Sequence, residues 1–271
     1  MSALNEALDA YPIADVDEIG EMIEPAQPER IRWMTGLLDA RSGHRIVDLG
    51  CGAGATLSTI AEDLPVDLIG IDSSAAGLRM AARALHGTPG GLRLLVQANL
   101  SDPIPLADAS VNRAICHNVL EFLRDPDAFV GEVYRVVGPG GRFVLSHSDF
   151  DTLVFASEDL RLTRRLVHSY CDLQQGWMDS VDGTIGRRLV QIVQRSPLRV
   201  EDVQARVNLS LKFRPGELGY DFALNVARAL RTGGQADPDE LDAWLAGLHR
   251  LDEVSGFLFS INDYAVVCAR P

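Results

Sequence analysis

The chain has 271 residues, 46% hydrophobic and 23% charged, which suits one large domain, or one domain with a sizeable insertion, around a substantial core. A formal net charge of -13 repels phosphate backbones and argues against nucleic acid as the main partner. No apolar run reaches the roughly 18 residues of a membrane-spanning helix, and the acidic start MSALNEALDAYPIADVDEIGEMIE lacks the basic and apolar stretches of a signal peptide, so a cytoplasmic protein is expected.

In chain order, RIRWMTGLLDARSGHR leads into a regular alternation that begins at residue 45. RIVDL (45–49) reads as a strand, GATLSTIAEDL (54–64) as a helix, VDLIGID (66–72) as a strand and SAAGLRMAARALH (74–86) as a helix. LRLLVQA (92–98) and SVNRAICHN (110–118) are the next strands, followed by the helix PDAFVGEVYRVV (126–137) and the strand GRFVLSHS (141–148). Five strands joined by crossovers predict an α/β protein with a parallel sheet covered by helices on both faces.

Beyond residue 150 the rhythm changes. A helix over roughly 157–175 places Leu162, Leu166, Tyr170 and Leu173 on one face and Arg161, Arg164, Arg165 and His168 on a neighbouring one. Those cations fit either a solvated face or recognition of an anionic substrate. From Val203 to Phe213 apolar residues alternate strictly with Gln204, Arg206, Asn208, Ser210 and Lys212, predicting a strand with one buried and one wetter face. Helices follow over 216–231 and 238–251, and GFLFSINDYAVVCARP reads as a last strand with a bulge near Asn262 and Asp263. These two late strands look like a closing pair at one sheet edge, and the added helices like a cap.

VDLGCGAGA (47–55) carries the chemistry. Gly50, Gly52 and Ala55 satisfy the loose dinucleotide fingerprint GxGxxG/A, so a nicotinamide enzyme and a methyl-transfer enzyme both fit the loop. Asp48, two residues before Gly50, weakens the dinucleotide reading because a carboxylate there repels a pyrophosphate. Asp72 ends the second strand, where its two oxygens suit the ribose hydroxyls of either ligand or the N-terminus of the next helix. Cys51, Cys116, Cys171 and Cys268 form no CxxC pair, so no metal site and no disulfide framework is expected.

The succession VDLGCGAG, IGIDSS and VQANLSDPIPLADASVNRAICHNVLEFLRDPDAFVGEVYRVVGPGGRFVLSHSD resembles a class I S-adenosylmethionine-dependent methyltransferase of the small-molecule, type 11 or UbiE-like group. The resemblance implies a Rossmann-like seven-stranded, mostly parallel sheet with an antiparallel C-terminal strand, helices on both faces and an added helical cap. The resemblance runs from about Arg30 to the C-terminus, and the chain is read as an N-terminal helical arm or lid over 1–41 and a methyltransferase domain over 42–271, with cap helices near 152–180 and 215–252. For S-adenosyl-L-methionine it implies binding by Asp48, Gly50, Cys51, Gly52 and Gly54, by Asp72 and Ser73, by Asn99 and Leu100 at the adenine, and by the His117 carbonyl at the methionine ammonium. Many relatives carry Asp where this chain has Asn99, which leaves the adenine contact to an amide.

A sulfonium is a strong methyl donor, so alignment and exclusion of water come first, with proximity contributing up to about 7–11 kcal/mol. A general base adds where the acceptor must lose a proton. LSHSDFDTL supplies His147 as the candidate base, with Asp149 a second candidate and Asp151 read as a loop or helix cap. The expected activity is methylation of oxygen or nitrogen on a small-molecule acceptor, such as a secondary metabolite or a carboxylate. The alternatives are an inert cofactor- or partner-binding scaffold and an NAD-dependent oxidoreductase. The acidic arm is read as a lid or as a homodimer contact.

Overall fold

A computed structural model describes residues 28–173 and 183–271. The first 27 residues of the expected arm, and 174–180 of the first expected cap segment, lie outside the described residues. Helix α1 (Pro28–Gly36) precedes β1 (Arg45–Leu49), α2 (Ala55–Asp63), β2 (Asp67–Asp72), α3 (Ala75–Ala84), β3 (Arg93–Gln97) and β4 (Val111–His117). After a single 3-10 turn (Leu120–Phe122) come α4 (Pro126–Val136), β5 (Val137–Phe155), α5 (Leu160–Asp172) and α6 (Ile185–Val193). The chain ends with β6 (Arg199–Ser210), α7 (Leu218–Thr232), α8 (Pro238–Glu253) and β7 (Phe259–Ala269). The strands form one seven-stranded sheet in the order β3-β2-β1-β4-β5-β7-β6. Strands β1 to β5 run parallel, and β7 is antiparallel to both β5 and β6.

Alternate residues along the strands fill opposite faces. Val47, Leu49, Ala114, Cys116, Phe143 and Leu145 pack with Phe129, Val130 and Val133 of α4 and Leu189 and Ile192 of α6. Ile46, Leu68, Ile115, Val144 and Val267 meet Ile31 and Met34 of α1 and Leu57 and Ile60 of α2 on the other face. Helices start where capping side chains allow: Ser74 Oγ accepts from the Gly77 amide, Asp125 from Ala128, and Asp159 from Arg161 and Leu162. No helix among the described residues is long and apolar enough to cross a membrane.

Three expectations change in the C-terminal half. Strand β5 runs to Phe155 instead of ending near residue 148, because the β5–β7 pairing continues past the parallel sheet. A bulge is present, but the surplus residues belong to β5: register passes from Asp149↔Asn262 to Val154↔Ser260, setting 150–153 against Ile261 alone. Strand β7 keeps its alternation, and the apparent phase shift arises because buried Asp263 occupies an inward position. The extended part of the β5–β7 pair supports a second core, in which Leu153, Phe155, Phe259 and Ile261 pack with Leu166 of α5, Phe222 and Val226 of α7, and Trp244 and Leu248 of α8.

Strand β6 keeps its two faces with the usual polarity reversed. Asn208 and Ser210 are buried, whereas Val203, Ala205, Val207 and Leu209 are exposed. Helix α1 and the cap lie against the polar face: Trp33 Nε1 donates to Gln204 at 3.2 Å, Arg206 pairs with Glu29 at 3.2 Å, and the Gly219 amide donates to Ser210 Oγ at 3.1 Å. Asn208 Nδ2 donates to Asp263 at 2.8 Å. Each buried polar atom named here has a partner, which keeps its desolvation affordable.

Candidate functional site

The glycine loop turns the chain from β1 into α2 with Gly50, Gly52 and Gly54 all in the left-handed region (φ +84°, +48° and +83°). Two of these glycines serve packing as well: a Cβ on Gly50 would overlap the Val119 side chain, and one on Gly54 would lie 2.7 Å from the Ala81 Cβ. Gly52 differs, because a Cβ there would meet nothing within 4 Å. Its backbone borders open space, the condition for close approach of a ligand.

Asp72 fastens this loop to β2. One oxygen accepts from the Gly52 amide and the other from the Ser74 amide, both at 2.8 Å. The helix cap is Ser74, so Asp72 is not the N-cap of α3, and each of its oxygens keeps a lone pair for a further donor. Ser73 is exposed beside it. Asp48 and Cys51 are buried at the loop's base, and the Gly50 and Cys51 amides both donate to the Ile71 carbonyl. The Ala98 amide donates to the Asp72 carbonyl at 3.0 Å, bringing the end of β3 alongside. There Leu100 is buried and Asn99 is exposed, with Asn99 Oδ1 accepting from the Ser101 amide at 2.8 Å. The side-chain NH2 of Asn99 therefore keeps its donors for another partner.

His117 ends β4 and is buried. Ser146 Oγ donates to Met34 Sδ at 3.0 Å and so receives the proton of His117 Nδ1 at 2.6 Å. Burial, then the Arg30 charge, then His147, hold this ring well below the usual histidine range. Asn118 follows at φ +51° and closes a polar chain: its Oδ1 accepts from the Ser148 amide at 2.8 Å, and Ser148 Oγ donates to Asp263 at 2.6 Å. That chain braces the ends of β4, β5 and β7, and periodicity does not reveal it.

His147 and Asp149 lie on one face of β5, and both are fully buried. The Ser148 carbonyl can only accept, so His147 Nδ1, 2.7 Å away, carries the proton and Nε2 holds the lone pair. Nε2 is buried without a hydrogen-bond partner, and burial lowers the pKa to about 4, so the ring is neutral near pH 7. The ring stands edge-on to Phe150, 6.0 Å away, and Phe150 in turn meets Tyr170 of α5 and Phe222 of α7. Asp149 is committed elsewhere. Arg187 of α6 grips it through Nε at 2.7 Å, Nη2 at 2.6 Å and its backbone amide at 3.0 Å, and reaches Asp151 at 3.0 Å. Both oxygens of Asp149 are thus occupied, which makes it a brace for α6.

Sequence reasoning missed Glu121. In the turn after β4, its carboxyl is buried with Oε2 unpartnered, and burial raises its pKa to about 8. A lone glutamate in LEFL carries no signal of this, since the turn that buries it has no periodicity. Of the helix cations, Arg165 pairs with Glu240 of α8 at 2.7 Å, so this member of the basic stripe ties two cap helices together. Among the described residues no group of three or more His, Cys, Asp or Glu side chains is placed to hold a metal ion.

Residues 47–145 match a family described as a methyltransferase domain. The chain is 28% identical over 234 residues to an uncharacterized 37.1 kDa protein in transposon TN4556 of Streptomyces fradiae, covering 79% of this chain and 65% of that one. It is 29% identical over 155 residues to a ubiquinone biosynthesis O-methyltransferase of Bordetella avium, covering 53% of this chain and 61% of that one. It therefore spans less than two thirds of the length of either relative. An S-adenosylmethionine-dependent methyltransferase from Methanosarcina mazei superposes with a TM-score of 0.52 at 16% identity, covering 85% of this chain and 94% of that one. Residues 47–145 thus match a methyltransferase domain, and the seven-stranded sheet has the fold of solved methyltransferases.

Proposed function

We propose, with a class I methyltransferase domain as the premise, that the protein binds S-adenosyl-L-methionine at the glycine loop and methylates a small molecule beneath the cap. The observation that carries this reading is the pair Gly52 and Asp72: an open backbone edge held 2.8 Å from a carboxylate with spare lone pairs. The residues fit the group. Asp72 would take the ribose hydroxyls with Ser73 beside it, Asn99 and Leu100 would hold the adenine, and the His117 carbonyl would receive the ammonium. Asp48, Gly50, Cys51 and Gly54 shape the loop behind them. When bound, the cofactor supplies an electrophilic methyl group on a sulfonium, which suits the acidic loop better than a dinucleotide pyrophosphate would.

The chain's task is then to orient the acceptor, exclude water and take a proton. The cap packs over the β5–β7 extension, and an acceptor held between it and the strand ends would be shielded from water, a setting that suits small molecules better than polymers. His147 Nε2 is the atom assigned to the acceptor proton. The ring is neutral near pH 7, so this nitrogen can take the proton that an acceptor oxygen loses as its bond to the methyl carbon forms. Asp149 supports that strand end through Arg187. The reading places the protein in the cytoplasm, in secondary metabolism, with neither nucleic acid nor membrane as partner.

Calorimetry with S-adenosylhomocysteine tests the cofactor assignment. Micromolar binding is expected, weakened at least about tenfold in Asp72→Ala by loss of charged hydrogen bonds. No heat at millimolar ligand sinks the proposal. Incubation with methyl-labelled cofactor and a metabolite extract tests turnover: label in a small molecule is expected, and its absence with intact binding leaves an inert scaffold.

A further inference from the structure

Glu121 has no role in the binding scheme of Asp72, Asn99 and the His117 carbonyl, yet its turn lies against the same loop. The turn Leu120–Phe122 follows directly on the end of β4. Val119, just before it, presses its side chain where a Cβ on Gly50 would stand. Leu120 and Leu123, on either side of Glu121, belong to the same apolar cluster as Leu100. Asn118 fastens the start of the segment to the Ser148 amide. A short segment tied to Gly50, Leu100 and the end of β5 therefore carries this carboxyl.

Glu121 is 5% exposed, and its Oε2 is buried without a hydrogen-bond partner. Among the described residues no charged side chain acts on its ionisation, and burial alone pushes its pKa up to about 8. A buried carboxylate needs a cation or several donors to stay ionised. Glu121 is therefore a neutral acid near pH 7. Other carboxylates at this edge of the sheet differ: Asp72 holds the Gly52 and Ser74 amides, Asp149 holds Arg187, and Asp263 holds Ser148 and Asn208.

We propose, on the premise that S-adenosyl-L-methionine binds at the glycine loop, that Glu121 answers the positive charge of its sulfonium and so distinguishes donor from product. S-adenosylmethionine and S-adenosylhomocysteine share the adenosine, the ammonium and the carboxylate. They differ by one methyl group and by the charge on sulfur. Asp72, Asn99 and the His117 carbonyl address only the shared parts, whereas Glu121 brings a carboxyl with no cation of its own. A cation within about 4–6 Å favours the ionised form of a carboxyl by about ten- to a thousandfold. Binding of the donor thus expels the proton of Glu121, and the product, whose sulfur is neutral, leaves the acid protonated. The donor is retained in preference to the product.

The test is titration calorimetry of the full chain at pH 7 in two buffers of different ionisation enthalpy, which counts the protons exchanged with each ligand. For a hundredfold preference, S-adenosylmethionine should release about 0.8 of a proton more than S-adenosylhomocysteine. Arg30, Asp48, Asp72, His117 and His147, the other ionisable groups near the end of β4 and the glycine loop, are common to both complexes, so the difference isolates the sulfonium. Glu121→Gln should abolish that difference, weaken S-adenosylmethionine about tenfold and leave S-adenosylhomocysteine within about twofold. Equal proton counts for the two ligands on the wild type overturn the inference, and so does an excess that persists in Glu121→Gln. The wild-type comparison needs no variant, so it decides the matter even if Glu121→Gln fails to fold. Binding of both ligands with equal counts leaves the cofactor reading standing, whereas binding of neither sinks that reading and this inference with it.

Discussion

The two halves of the sheet follow different rules. In β1 to β4, with their helices, residues such as Val47, Leu49, Ile69 and Ile115 are buried where a hydrophobic pattern says they should be. In the β5–β7–β6 half, Ser148, His147, Asp149, Asn208 and Asp263 are buried while Val203, Val207 and Leu209 face outward. Polarity predicts burial where the covering surface is generic and apolar. It fails where a specific set of partners, here Arg30, Trp33, Asn118 and Arg187, is brought in from distant parts of the chain to meet polar atoms.

Arg187→Ala breaks the contrast most severely. Removing the guanidinium leaves Asp149 as an unpaired carboxylate in a fully buried position, at a cost of about 3 kcal/mol or somewhat less, since Arg187 itself is half exposed. Denaturant melts of Arg187→Ala and of Arg187→Leu/Asp149→Leu measure it, and the double variant should recover much of the loss. A loss below about 1 kcal/mol in the single variant would show that the pair is peripheral to stability.

Acid stability sharpens the comparison, because one buried group in each half titrates in the opposite sense. His147 has its folded pKa lowered from 6.5 to about 4, so the unfolded chain binds more protons between these values and stability is lost as pH falls below 6.5. Glu121 has its folded pKa raised from 4.5 to about 8, so stability is gained as pH falls over that window. Between pH 7 and pH 5 each effect is about 2 kcal/mol, and they largely cancel. His117, also held well below 6.5, and Asp221, raised to about 6, add to opposite sides of this balance, so each variant's slope is read against that of the wild type. Glu121→Gln should become less stable on acidification and His147→Phe more stable, and parallel slopes in the two variants would refute the assignment.

The smallest expected effect comes from one substitution made in both halves. Val47→Ala, in the closed core, should cost about 2 kcal/mol. Val207→Ala, on the bare face of β6, should change stability by less than about 0.5 kcal/mol. Equal costs would erase the distinction between the halves.

Much of the site was legible beforehand. The glycines at 50, 52 and 54 announce left-handed backbone, and Asp72 is legible as a carboxylate at the end of a strand in a parallel array, but its bonds to the Gly52 and Ser74 amides are not. Asp149 was legible only as a carboxylate near the right edge; its capture by Arg187, 38 positions later, depends on where α6 lands. Glu121 gave no signal at all.

By itself the sequence determined the parallel order of the first five strands, the glycine turn with its acidic neighbour, and the presence of two further strands and a helical cap. Those features depend on local periodicity and on backbone conformations that particular residues permit. The tertiary structure alone decided which face of β6 is covered, which strand carries the bulge, and which nitrogen of His147 keeps its lone pair. Each of those depends on what a distant segment brings into contact: α1 against Gln204 and Arg206, the cap against the β5–β7 extension, and the Ser148 carbonyl against Nδ1.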